Sequence, residues 1–370
     1  MIINPFTFGT PADRWSFTDR EDLLPRLEAI MKMPRQRALV YGRRRMGKTS
    51  LIRRAGEAQK SPFLFADLST STDLREVAEK LIAAIPVPPE GLTKRVLGIL
   101  AKYVRIVALK GGKFALEAEL RGQAQRNLEQ ALDFIDDLAS EADACWTVCL
   151  DEFQEIRSLA GDKGDWHLRG AIQHHKSVSY IFSGSDHRLL SWMTEPNAAF
   201  YKQLEVIMVG PIDPALLAQW IDDRSRRGGL PDPQFGKQVV ELGGPCTGDI
   251  VRLAKAVFDR FASGKTKGNV IAEEFDAIAL GGLNQVFVEL WRPLSPTQRL
   301  MLRAIATGHR PLASSTLAAY GIKAASTGSK AIEALVDRQI IIRIDEQVAF
   351  DNPFFQRWVE ANAAPGDTET

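Results

Sequence analysis

The octapeptide Gly42-Arg43-Arg44-Arg45-Met46-Gly47-Lys48-Thr49 constrains this chain more than any other stretch. It satisfies the pattern G-x-x-x-x-G-K-[ST] at every fixed position, and its flanks supply the context that gives the pattern meaning. Ala38-Leu39-Val40-Tyr41 is an apolar run that reads as a strand entering the loop, and Ser50-Leu51-Ile52-Arg53-Arg54-Ala55 reads as a helix leaving it. A strand, a glycine-bracketed turn and a helix aim successive backbone N–H groups at one anion, with the positive end of the helix dipole behind them. Gly42 and Gly47 let the backbone fold back. Lys48 would bring a point charge to the β- and γ-phosphates, and the Thr49 hydroxyl would ligate Mg²⁺. Arg43, Arg44, Arg45, Met46 and Ser50 complete the expected lining of the phosphates. The spacing predicts a P-loop.

A second motif answers the first. Trp146-Thr147-Val148-Cys149-Leu150 is apolar and free of Gly and Pro, as a strand buried on both faces should be. It ends in Asp151-Glu152. In a P-loop protein such a strand delivers Asp to the Mg²⁺ shell. The adjoining Glu fits a base that activates water. The pair therefore predicts hydrolysis rather than transfer to a small acceptor. No Asn-Lys-x-Asp guanine signature occurs, which favours ATP over GTP, and no ABC-type signature loop is present.

Around these motifs strands and helices alternate. Phe63-Leu64-Phe65-Ala66-Asp67, Val178-Ser179-Tyr180-Ile181-Phe182 and Leu204-Glu205-Val206-Ile207-Met208-Val209 read as strands. Helices are expected before the P-loop from Asp19-Arg20-Glu21-Asp22, after Thr70-Ser71-Thr72-Asp73, over about residues 125–140 and from Trp166 to His175. This order predicts an α/β fold, a doubly wound parallel sheet with ligands at the carboxyl ends of its strands. Phe17 and Arg20 are placed near the adenine. From Pro211 to about Pro293 the pattern turns helical. The expected domains are a core over 1–210, a helical lid over 211–293, a winged helix-turn-helix over 294–362 and a disordered tail over 363–370.

The winged-helix expectation rests on three short helices, at Pro296 to Ala306, Ser314 to Tyr320 and Lys330 to Arg338. They are followed by Ile340-Ile341-Ile342-Arg343-Ile344, a turn at Asp345-Glu346, and Val348-Ala349-Phe350. Its charge is nearly balanced: five basic residues against four acidic ones over 310–349. That leaves contact with a partner protein and contact with DNA both open. Residues 94–126 are more basic, with eight Lys and Arg against Glu117 and Glu119. They read as a solvated face or as a patch for phosphate backbone or an acidic partner.

Composition excludes other classes. With 45% hydrophobic and 25% charged residues the chain reads as a soluble globular protein. No run approaches the length of a membrane span, and Met1-Ile2-Ile3-Asn4-Pro5 lacks the basic-then-apolar order of a secretory signal. Cys145, Cys149 and Cys246 make no disulfide framework and read as small core residues, and the five His residues form no metal-ligand set. A cytoplasmic protein is expected.

Further residues carry a resemblance. They are Asn4-Pro5-Phe6 with Phe17-x-x-Arg20-Glu21, the Gly42–Thr49 loop, Asp151-Glu152-Phe153-Gln154, and Leu168-Arg169 with Ile172-Gln173-His174-His175. To these add Tyr180-Ile181-Phe182-Ser183-Gly184-Ser185 and Phe350-Asp351-Asn352-Pro353-Phe354-Phe355-x-x-Trp358. With them the chain resembles the prokaryotic archaeal-type ATPases, P-loop proteins of the STAND/AAA+ group related to the origin-recognition ATPases. The resemblance implies an AAA+-like core, a helical lid and a C-terminal winged helix. It implies that Ser185 acts as a sensor orienting the attacking water or the γ-phosphate, and that Arg252 is the lid arginine. Some relatives carry Arg where this chain has Tyr201-Lys202-Gln203. The reading that results is an ATP- and Mg²⁺-dependent switch, with Glu152, Lys48, Ser185 and Arg252 as its catalytic residues. It would couple nucleotide state to a winged helix that meets DNA or a partner protein, and could assemble into a homo-oligomer under ATP. The alternative is a sensor or scaffold that binds nucleotide without hydrolysing it.

Overall fold

The structure is a computed structural model, and it describes residues 2–12, 15–86, 124–185, 187–230, 232–264, 268–322, 324–344 and 347–362. The basic stretch 94–126 lies outside these residues apart from the helical backbone of 124–126, as do the Asp345-Glu346 turn and the 363–370 tail. The chain divides into two compact units, one of Pro11–Gly210 and one of Met1–Thr10 with Pro211–Thr370.

The first unit is built on five parallel strands in the order β2-β3-β4-β1-β5. They are β1 (Arg37–Tyr41), β2 (Phe63–Asp67), β3 (Trp146–Asp151), β4 (Val178–Gly184) and β5 (Glu205–Met208). Every residue of β3 and β4 is buried, as continuous apolar runs in the middle of a parallel sheet require. The register pairs Asp67 with Asp151, Leu150 with Phe182 and Tyr41 with Gly184. The carboxyl ends of β1, β3 and β4 therefore lie along one edge, where open α/β sheets bind ligands. Helices α1 (Leu23–Met31), α2 (Lys48–Glu57), α3 (Leu74–Ala83) and α4 (Ala124–Glu141) follow the predicted periodicity. Asp73 caps α3 by accepting the Glu76 amide, so the Thr-Ser-Thr-Asp run works through its last member. The helix foreseen over Trp166 to His175 is shorter, Gly164–Ile172. His175 turns inward beyond its end and is held between the Tyr180 hydroxyl and Asp133, 2.6 and 3.0 Å away.

In the second unit, one continuous core runs from Phe6 to Val359. Residues 1–10 were expected with the core over 1–210. They pack in this unit instead, because Phe6 lies edge-on to Trp220 and Phe258, with ring centroids 5.8 and 6.1 Å away. The Asn4 side chain adds hydrogen bonds to the Lys255 carbonyl and to Asp259. The helical stretch after Pro211 and the winged helix share the same core. Phe275 meets Phe354 at 4.9 Å and Phe287 meets Phe355 at 5.1 Å. Helix Pro296–Ala306 starts with the capping box Ser295/Gln298, and helices Ser314–Ala319 and Ala325–Asp337 follow. The last of these begins at Ala325 after an N-cap Ala324, earlier than the expected Lys330, so Ser326 and Thr327 lie inside it. Strands β6 (Ile341–Ile344) and β7 (Gln347–Phe350) form the antiparallel wing. The closing helix Pro353–Asn362 is tied to the preceding helices by the Arg357 guanidinium on both Asp276 carboxylate oxygens, at 2.7 and 3.0 Å. Among the described residues no helix is long and apolar enough to cross a membrane.

Candidate functional site

The loop after β1 takes its shape from two glycines with different reasons. A Cβ on Gly42 would fall 2.3 Å from the Val209 carbonyl oxygen, so the backbone runs too close to tolerate a side chain. Gly47 adopts φ +88°, the left-handed conformation that precedes α2. Between them Met46 is buried and anchors the loop, whereas Arg44 and Arg45 are exposed. Arg45 itself has φ +62°. The Lys48 ammonium is buried and donates to the Arg43 carbonyl oxygen at 2.9 Å, so it bridges the loop from within. Ser50 lies on the first turn of α2, where its hydroxyl oxygen accepts the Ala12 amide at 2.9 Å.

Arg20 reaches this loop from the segment before α1. Its guanidinium donates to the Met46 and Gly210 carbonyl oxygens, at 3.2 and 2.7 Å. Burial pushes its pKa down, against the pull of Asp19 and Asp22, yet a guanidinium stays charged. Both Asp19 and Arg20 have positive φ, +57° and +90°, the backbone bend that turns the side chain inward. Arg20 was expected to touch the nucleotide; the structure gives it two carbonyls to hold, one of them on the P-loop.

The acidic pair stands at the end of β3. Asp151 is 3% exposed, and its Oδ2 accepts the Thr49 hydroxyl at 2.8 Å. This bond joins the two sequence motifs, 102 residues apart. The other oxygen accepts the Ser183 hydroxyl of β4. Glu152 turns the chain with φ +51°. Its carboxylate accepts the Gln154 amide, and the Ser185 hydroxyl at 3.4 Å. A hydroxyl and a carboxylate beside a phosphate cradle suit a hard cation such as Mg²⁺, which takes one or two protein oxygens and completes its shell with phosphate and water. Among the described residues no group of three or more His, Cys, Asp and Glu could hold a metal by itself.

The structure thus brings Gly42 to Ser50, Arg20, Asp151, Glu152 and Ser185 into the first unit. Arg252 lies in the second unit, on helix Thr247–Ala262, with its guanidinium 5.1 Å from the centre of the Phe8 ring. Two residues of the quoted motifs had been given no contact of their own from sequence. Ser183 is placed opposite Asp151 by the β3–β4 register, a signal available once the two strands are aligned. Gln154 reaches back to Glu152 because a tight turn follows the strand, which no spacing rule announces. Cys149 is fully buried, and desolvation raises its thiol pKa well above the ordinary value, so it is inert core.

Comparison with known proteins bears on the fold. The family model "Probable winged helix domain" matches residues 285–361. No curated protein matches the chain in sequence. The Walker-type ATPase of Pyrococcus abyssi is similar in structure, with a TM-score of 0.69 at 20% identity over 96% of this chain and 99% of that one. The Aeropyrum pernix ORC2 protein, in its ADPNP–ADP complexes, gives 0.57 at 14% identity over 94% and 95%. In its ADP form it gives 0.53 at 13% identity over 92% and 93%. The sheet order, the loop after β1, the acidic end of β3 and these likenesses agree: this chain has the fold of an archaeal ORC-like P-loop ATPase with a winged helix domain at its C-terminal end.

Proposed function

We propose that this protein is a Mg²⁺-dependent ATPase that works as a molecular switch. The observation that carries the reading is the Thr49–Asp151 hydrogen bond at 2.8 Å. It sets the Thr49 hydroxyl beside the Asp151 carboxylate, the pairing that a P-loop and a Walker B strand would use to hold a metal, with Glu152 next in the chain. Lys48 and the loop amides bind the β- and γ-phosphates. Thr49 and Asp151 hold Mg²⁺. Glu152 takes a proton from the attacking water, and Ser185 positions that water or the γ-phosphate. Arg252 is the lid residue proposed to answer the γ-phosphate.

The state of the nucleotide is proposed to be read out by the winged helix, on DNA or on a partner protein. Helix Ala325–Asp337 exposes Ser326, Thr327 and Lys330, but also Glu333 and Asp337. Leu312 and Ile344 are exposed as well, 43% and 50%. The sensor reading keeps one observation of its own. The Glu152 carboxylate is occupied by Gln154 and Ser185, and a base so engaged is held back from water.

Calorimetry with Mg²⁺ and ATP, paired with phosphate release, tests the proposal. Lys48→Ala should lose binding, and Glu152→Gln should bind and lose turnover. Wild-type protein no faster than Glu152→Gln, with or without duplex DNA, would establish the sensor instead. If DNA is the partner, log affinity should fall by about 0.9 per released counterion on a logarithmic salt scale. A flat response removes DNA.

A further inference from the structure

The loop that cradles the phosphates carries three guanidinium groups in succession, at Arg43, Arg44 and Arg45, with the Lys48 ammonium close behind. The frame of this loop is pinned. Gly42 is pressed against Val209, Met46 is buried, the Met46 carbonyl is held by Arg20, and Lys48 closes on the Arg43 carbonyl. Arg43 and Arg45 each interact with a neighbouring group. Arg44 differs: it is exposed and makes no hydrogen bond or ion pair among the described residues.

The carboxylates of the site are engaged by groups other than Arg44. Asp151 is engaged by Thr49 and Ser183, and Glu152 by Gln154 and Ser185. An anion in the cradle would give the exposed Arg44 guanidinium a partner. Phosphoryl transfer spreads charge over the γ-phosphoryl oxygens, and a planar fork donating two N–H groups suits those oxygens better than an ammonium does. Many P-loop enzymes obtain that arginine from a second protein. Here an uncommitted guanidinium already stands at the apex of the chain's own loop.

We propose that Arg44 is a catalytic residue that supplies this cation in cis, so that hydrolysis needs no second copy of the chain. The inference rests on the ATPase reading above. Water oxygen bonds to the γ-phosphorus as the bond to the β–γ bridging oxygen breaks. That electron pair stays on ADP, the water proton passes to Glu152, and inorganic phosphate leaves. Arg44 remains a guanidinium throughout and contacts the γ-phosphoryl oxygens as their charge develops.

The test compares wild type, Arg44→Ala and Arg44→Lys. Three quantities are read: the affinities for ATP and ADP, the affinity for ADP with aluminium fluoride as a transition-state mimic, and turnover per chain against protein concentration. Arg44→Ala should bind the mimic about 10³-fold more weakly and lose a similar factor in kcat. ADP affinity should stay within about threefold, since only the γ-phosphoryl contact is removed. Arg44→Lys should fall between, keeping charge without the fork. Wild-type turnover per chain should be constant with concentration. Unchanged mimic affinity in Arg44→Ala refutes the proposal while leaving the ATPase reading intact, and so does turnover per chain that rises with concentration in wild type and variant alike. Wild type no faster than Glu152→Gln refutes the ATPase reading itself. The ratio of ATP to ADP affinity then judges Arg44, and a ratio unchanged in Arg44→Ala ends its assignment to the γ-phosphate.

Discussion

Replacing Gly42 by Ala tests the geometry of the site in its smallest form, one methyl group. The φ of Gly42 is not positive, so its backbone conformation is open to alanine and only space is at stake. The added Cβ would lie 2.3 Å from the Val209 carbonyl oxygen and 3.2 Å from its carbonyl carbon, where real contacts stay beyond 3.0 Å. The strands must therefore part by at least about 0.7 Å. Val209 cannot withdraw freely, because its N–H donates to the Tyr41 carbonyl at 2.7 Å, one residue before Gly42. Overpacking of this kind costs about 1–3 kcal/mol. For a unit of this size that lowers Tm by roughly 2–12 °C, at 2–4 °C per kcal/mol. The same displacement moves the amides that face the phosphates, and a loss of about 1.4 kcal/mol there weakens nucleotide tenfold. Gly47→Ala is the contrasting variant. Nothing lies within 4 Å of its Cβ, but φ is +88°. Its cost is the left-handed strain of about 1–2 kcal/mol, and Gly47→Asn should recover part of it. Thermal melts and calorimetric titration of ATP read both effects. Gly42→Ala protein with wild-type Tm and nucleotide affinity within about twofold would refute the argument from close approach.

Arg20→Ala should weaken ATP, ADP and GTP by a common factor, because it releases the Met46 carbonyl rather than a base contact; a change in base preference alone would show that Arg20 meets the adenine. Phe6→Ala should destabilise the unit of residues 1–10 and 211–370 by about 3–5 kcal/mol, the usual cost of emptying a buried aromatic site; a melt unchanged in that unit would deny the N-terminal segment its place in the core. The hydrogen bonds from Arg357 hold the Asp276 carboxyl below its ordinary pKa. The folded protein therefore binds that proton less readily than the unfolded chain, and the contribution of the pair is complete at neutral pH and lost as pH falls below about 3.9. Arg357→Ala should shrink the difference in stability between pH 7 and pH 3, measured in urea, and an equal difference in both proteins would remove the pair from the account.

Much of the site was legible because its physics is local. A P-loop is one continuous turn, so spacing alone located it, and a buried strand ending in two acids declares itself through an unbroken apolar run. The parallel sheet followed from the alternation of strands and helices. The wing followed from two short apolar runs about a polar turn. What stayed hidden depended on partners distant in sequence. That Arg20 holds the Met46 and Gly210 carbonyls could be seen only once the fold brought them to it. Phe6 looked like a neighbour of the nucleotide core until the rings of Trp220 and Phe258 proved to enclose it. The boundary expected between lid and winged helix carried no sign of the aromatic contacts that give both one core. Apolar side chains advertise that they will be buried and not against what, because the hydrophobic effect has no direction. The sequence by itself determined the kind of fold and the place of the P-loop and the acidic strand end within it. Only tertiary structure decided which carbonyls, hydroxyls and rings surround each of those groups, since such contacts are chosen by how the elements pack.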